Sequence, residues 1–121
     1  MSAHFHAHSL ALHVFLSHFI SFPPYSHKDR RFAYVFGVEA HVCLLQTALD
    51  LLRRGYTVLV VEDAVRSQRP NDCEQALRRM RDAGCIVTTA ESCLYELMGD
   101  AKHPSFKALL PFVKEHAKNR L

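Results

Sequence analysis

Residues 57–62, TVLVVE, form an unbroken apolar run closed by a glutamate. A strand with one wet face alternates apolar and polar side chains, whereas a continuous run this short marks a parallel strand buried on both faces. Parallel neighbours need a crossover, normally a helix, between them. The surrounding sequence supplies that pattern. Residues 33–38 (AYVFGV) predict a first strand, and a helix follows over about 41–54 with Leu45, Ala48, Leu49 and Leu52 on one stripe. Gly55 ends it. A second helix is predicted from Asn71, where Asn71 and Glu74 stand at capping-box spacing, to Gly84, with Cys73, Ala76, Leu77 and Met80 as its apolar stripe. Arg78, Arg79 and Arg81 are then left to a solvated face. Residues 85–89 (CIVTT) predict a third strand, and Thr88 with Glu91 caps a short helix ending at Gly99. Pro104 suits the first turn of a last helix carrying Phe106, Leu109, Leu110 and Val113, which Pro111 should kink. The implied fold class is α/β, three parallel strands with flanking helices.

The first 31 residues have another character. No Lys, Arg, Asp or Glu occurs before Lys28, and six of the nine histidines precede residue 28. Residues 9–22 (SLALHVFLSHFISF) place Leu12, Phe15, Leu16, Phe19 and Ile20 at helical spacing. Pro23 and Pro24 close that segment and open a linker to Arg31. A secretory signal would want a basic start and a small-residue cleavage site, and a mitochondrial leader would want arginines. His4, His6 and His8 share a face if extended, a set able to bind zinc, nickel or copper, but an unstructured leader is the simpler reading. We read 1–31 as an atypical leader, disordered or partly helical, and 32–121 as the domain proper.

Charge excludes other classes. The net charge is +3; residues 1–31 hold three basic and one acidic residue, leaving twelve basic and eleven acidic in the remaining ninety. A near-neutral domain gives nucleic acid no electrostatic footprint. No apolar run is long enough to span a membrane. Four cysteines are too few for a disulfide scaffold, so a reducing compartment, the cytoplasm (or the mitochondrion), is expected.

In open parallel sheets ligands bind beyond the carboxyl ends of the strands. Two such ends stand out, residues 37–43 (GVEAHVC) and 62–67 (EDAVRS). Cys43 falls in a first helical turn, where unpaired amides and the helix dipole stabilise a thiolate and can hold an oxyanion. A buried packing thiol is the competing reading. Cys73, Cys85 and Cys93 fall on helix stripes or in a strand and are read as packing. His41 lies two residues from Cys43, the wrong helical spacing for a direct pair. Glu39 and Asp63 are candidates for acid–base work, although Asp63 could equally brace a loop.

The runs GVEAHVCLLQTALDLLRRG, VVEDAVRSQ and VTTAESCLYELMGDAKHPSFK closely resemble the isochorismatase-like cysteine hydrolases, in particular the eukaryotic isochorismatase domain-containing subgroup. The resemblance covers about residues 33–115. It implies the C-terminal half of a Rossmann-like, six-stranded parallel fold. It also implies Cys43 as nucleophile, a non-prolyl cis peptide at Val38–Glu39, and oxyanion amides at Glu39 and Cys43. The family's catalytic Asp and Lys, which precede the cysteine, have no counterpart in context. Lys28 and Asp29 are adjacent in the linker, with no strand ending at Asp29. The metal-binding positions of some relatives have no counterpart either, so no metal or cofactor is expected.

Two functions follow from this reading. One is a hydrolase with a small-molecule substrate and weak or absent turnover in this form. The other is a non-catalytic module that assembles with a full-length relative or with itself. The first strand, central in a complete sheet, is expected to be an edge here, and an aggregation-prone or oligomeric product follows.

Overall fold

The computed structural model describes residues 12–17 and 32–120. The chain divides into two compact units, one ending at Thr89 and the other beginning at Ala90.

In the first unit four strands form one sheet: β1 (Leu12–Ser17), β2 (Phe32–Gly37), β3 (Thr57–Val65) and β4 (Ile86–Thr88), in that spatial order. β2, β3 and β4 are parallel, as the alternation predicts. The apolar run in β3 is buried on both faces: Val58 and Val60 are fully buried, and so, nearly, are Leu59 and Val61 facing the other way. Helix α1 (Leu45–Arg53) connects β2 to β3, and α2 (Pro70–Ala83) connects β3 to β4. Both contribute to one core, in which Val35, Val58 and Val60 of the sheet meet Leu44, Ala48, Ala76 and Met80. Leu45, Leu51 and Leu52 pack against it.

Two expectations are corrected here. The helical spacing of residues 9–22 is not realised over 12–17, which form a strand. That strand pairs antiparallel with β2, Val14 opposite Val35 and Leu16 opposite Ala33, so β2 is not an edge. Main-chain pairing outweighs a stripe of apolar side chains when a sheet edge with unpaired amides is available.

Helix ends are set by simple means. Gly84 adopts φ +111°, and the Cys85 N–H reaches back to the Met80 carbonyl at 3.0 Å, the bond pattern of a left-handed helix stop. At its start α2 does not use Asn71 and Glu74 as a capping box. Pro70 opens the helix, Asp72 binds Arg69 Nε at 2.7 Å, and Glu74 pairs with Arg78 along the helix at 3.4 Å. Arg78, Arg79 and Arg81 are exposed.

In the second unit α3 (Ala90–Met98) ends at Gly99, and α4 (Phe106–Arg120) follows. α4 starts two residues beyond Pro104, because a turn at 100–105 intervenes: the Lys102 and Ser105 amides donate to Asp100 Oδ1 and His103 Nδ1. The helix continues through Pro111. The Tyr95 and Phe106 rings lie 6.1 Å apart at 50° and join the two helices.

Candidate active site

The two strand ends singled out in the sequence meet. β2 stops at Gly37, whose φ of +123° only glycine adopts without strain. The Val38–Glu39 peptide is cis. Residues Ala40–Leu44 then form a π-helical turn, closed by the Leu44 N–H on the Glu39 carbonyl at 3.3 Å, before α1 begins. Single π turns of this kind recur at functional sites. On the other side β3 runs on to Val65, past Glu62 where the apolar run ends. Val35 pairs with Val60 but Gly37 with Val65, so residues 61–64 bulge opposite Phe36 alone. Asp63 therefore lies inside a strand, half-buried, rather than in the loop beyond it.

The turn at 37–41 and the segment at 66–68 are bonded together at four points. The Arg66 N–H donates to the Gly37 carbonyl at 3.2 Å, and the Ala40 N–H donates to the Arg66 carbonyl at 2.9 Å. The Gln68 N–H donates to Glu39 Oε2 at 2.9 Å. His41 Nδ1 lies 2.8 Å from Ser67 Oγ. Glu39 thus acts as a brace in this geometry, with its carboxylate engaged by a main-chain amide. His41 also faces two carboxylates, Glu39 Oε2 at 3.7 Å from Nδ1 and Asp72 Oδ2 at 3.9 Å from Nε2.

Cys43 sits on this turn, half-buried, and its S–H donates to the Val38 carbonyl at 3.5 Å and, more weakly, to that of Glu39 at 3.8 Å. Ala40 and Leu44, on either side of it in sequence, are fully buried and root the turn in the core, while Val38 and Val42 are exposed. The other cysteines differ. Burial pushes the Cys85 thiol up to about 11. Burial also raises that of Cys73, against a lowering influence of nearby Arg66. Cys73 donates to the Val65 carbonyl at 3.9 Å, and Cys93 is buried in α3. A high pKa means little thiolate at neutral pH and so little nucleophilicity.

The sequence marks 37–43 and 62–67 but gives no reason to pair His41 with Ser67 or Asp72, since those partners are remote in the chain. Ser67 and Asp72 are the additional polar members of the site. His4, His6, His8, Lys28 and Asp29 lie outside the described residues. Among the described residues no group of three or more His, Cys, Asp or Glu side chains is arranged to hold a metal ion. Nor is any helix among them long and apolar enough to cross a membrane.

The parallel strands β2, β3 and β4, with a turn beyond the carboxyl end of β2, form the kind of α/β sheet edge at which ligands bind. The chain belongs to the isochorismatase domain family, whose model matches residues 27–92. It is 46% identical over 90 residues to isochorismatase family protein 1B of Dictyostelium discoideum, an alignment covering 74% of this chain and 44% of that protein. It is 51% identical over 83 residues to isochorismatase domain-containing protein 1 of Salmo salar, covering 69% of this chain and 29% of that one. Among solved structures, the MAR1 ribonuclease from Caenorhabditis elegans superposes with a TM-score of 0.63 at 46% identity, over 64% of this chain and 41% of that one. The chain thus spans less than half the length of the relatives it matches.

Proposed function

We propose that residues 32–121 carry the nucleophile half of an isochorismatase-type hydrolase site, with Cys43 as the attacking thiol. The observation that supports this most is the placement of Cys43: half-buried, beyond the carboxyl end of β2, on a π turn whose first and last residues, Ala40 and Leu44, are fully buried. In the reaction we envisage, the Cys43 thiol loses its proton to a base and its sulfur attacks the carbonyl of a small amide or a related substrate. The main-chain amides of Glu39 and Cys43 stabilise the oxyanion. Collapse expels the leaving group as it takes up a proton, and water then hydrolyses the thioester.

That sequence needs a base and a cation near the sulfur. Glu39 is a poor candidate for the base, because its carboxylate accepts the Gln68 amide. The 121-residue chain by itself is therefore a slow hydrolase, short of the proton-transfer contribution, commonly about 10²–10⁴ in rate. Steady-state hydrolysis of a primary amide tests this. We expect at most trace turnover, lost in Cys43→Ala. Ordinary turnover by the 121-residue chain overturns the reading, and so does trace turnover that survives Cys43→Ala.

One observation favours the non-catalytic alternative, docking onto a full-length relative or a second copy. β4 ends the sheet among the described residues, and Ile86 on it is 51% exposed. Concentration-dependent size-exclusion chromatography, repeated with Ile86→Lys, separates that role from a monomeric one. A ribonuclease role, the activity in the name of the C. elegans neighbour, has weaker support. The exposed arginines of α2 have no aromatic residue between them on which a base could stack.

A further inference from the structure

Among the described residues around the nucleophile turn, His41 makes polar contacts to two segments remote in sequence. It projects from the second residue of the π turn, and its ring reaches two places distant in sequence: Ser67 in the loop after β3 and Asp72 in the first turn of α2. The two ring nitrogens are used differently. Asp72 offers only acceptors, so a proton on Nε2 suits the carboxylate 3.9 Å away. Nδ1 lies 2.8 Å from the Ser67 hydroxyl and 3.7 Å from Glu39 Oε2; the hydroxyl donates to a bare Nδ1 and accepts from a protonated one. Asp72 is itself fixed by Arg69 Nε at 2.7 Å, so the anchor on the α2 side does not swing freely. The main-chain bonds at Gly37–Arg66 and Ala40–Arg66 hold the entry of the turn. Beyond Ala40, the hydrogen bond that ties the turn to the loop at 66–68 among the described residues is that of the His41 ring, and Cys43 lies two residues further on.

We propose that His41 is a positioning residue. Its bond to Ser67 fixes the π turn against the loop after β3 and thereby sets where the Cys43 sulfur points. The proposal rests on the reading of Cys43 as the nucleophile for its catalytic meaning, but its physical content is the order of the turn, and that can be read without turnover.

Two isosteric substitutions separate the ring's two contacts. Asparagine places a polar atom where Nδ1 stands and can keep the Ser67 bond. Glutamine places one where Nε2 stands and keeps only the approach to Asp72. Three readouts are taken on the whole chain: amide hydrogen exchange over residues 38–45, the iodoacetamide alkylation rate of Cys43 resolved by peptide mass spectrometry, and circular dichroism to confirm folding.

We expect His41→Gln and Ser67→Ala each to speed exchange at the turn about three- to tenfold, the range that corresponds to one net hydrogen bond. Each should also shift the Cys43 alkylation rate at least threefold. His41→Asn should stay within twofold of the unsubstituted chain, and His41→Gln combined with Ser67→Ala should add nothing to either alone. Equal behaviour of the Asn and Gln variants, additive effects in the double variant, or unchanged exchange in His41→Gln overturns the proposal. Failure of the nucleophile reading appears separately, as hydrolysis that persists in Cys43→Ala while these exchange results hold.

Discussion

Leu44 offers the sharpest test of how the site is rooted in the fold. It follows Cys43 directly, is fully buried, and lies in the core with Val35, Val58, Val60 and Met80. Leu44→Ala removes three carbons, worth about 2.4 kcal/mol in transfer free energy at ~0.8 kcal/mol per methylene. A residual cavity adds to this, and fully buried Leu→Ala changes fall at about 2–5 kcal/mol. We take about 3 kcal/mol. With a urea slope near ~1 kcal/mol per molar for a small domain, the midpoint should fall by about 3 M or the variant should be largely unfolded in buffer. Leu49→Ala is the control, because the sequence places Leu49 on the apolar stripe whereas the structure leaves it only half-buried and outside the core cluster. Its expected cost is about 1 kcal/mol. Urea unfolding followed by circular dichroism measures both. A Leu49→Ala cost equal to or larger than that of Leu44→Ala would refute the helix phase, and with it the claim that the turn carrying Cys43 is anchored through its next residue.

Other consequences can be measured on the same protein. Gly84→Ala should cost about 1–2 kcal/mol from the positive φ alone, since an added Cβ meets nothing within 4 Å; a larger loss would mean a clash that this geometry lacks. The folded state holds the Cys85 proton up to about pH 11, against about 9 for a free thiol, so folded protein binds more protons than unfolded between those values. Stability should therefore be unaffected by this thiol below about pH 9 and fall as pH rises from 9 to 11, a fall that Cys85→Ala flattens in urea titrations. Glu39→Gln keeps an acceptor for the Gln68 amide and should leave Cys43 alkylation within twofold, whereas Glu39→Ala removes the brace; a large effect of the Gln variant would make Glu39 an acid–base group instead. Removing the β1 strand bares one edge of β2, and light scattering should then rise with concentration.

Much of the fold was legible because it depends on local signals. The apolar run at 57–61, short and rich in valine, reads as a doubly buried strand, and Gly55, Gly84 and Gly99 stand where left-handed stops are needed. What escaped the sequence is non-local. Apolar residues at 12–17 fit a helix as well as a strand, and the partner that decides between them, β2, lies about twenty residues away. Leu44 and Leu45 are adjacent apolar residues, so spacing alone did not fix the helix phase; the structure buries Leu44 and Ala48 and leaves Leu45 and Leu49 half-buried. At the site, the position of Cys43 was visible from its strand–turn–helix context, whereas His41, Ser67 and Asp72 come together only through the crossover that brings the end of β3 beside the end of β2.

The central claim concerns one sulfur, and trapping tests it most directly. The chain and its Cys43→Ala variant are each incubated with an activated aryl ester at neutral pH, and the adduct is located by peptide mass spectrometry. Attack by the thiolate expels aryloxide and leaves an acyl group on sulfur. The account predicts one adduct per chain, on Cys43, slow to hydrolyse and absent from the variant. An adduct on Cys73, Cys85 or Cys93 in preference to Cys43, or rapid turnover of the ester by the Cys43→Ala variant, would contradict it.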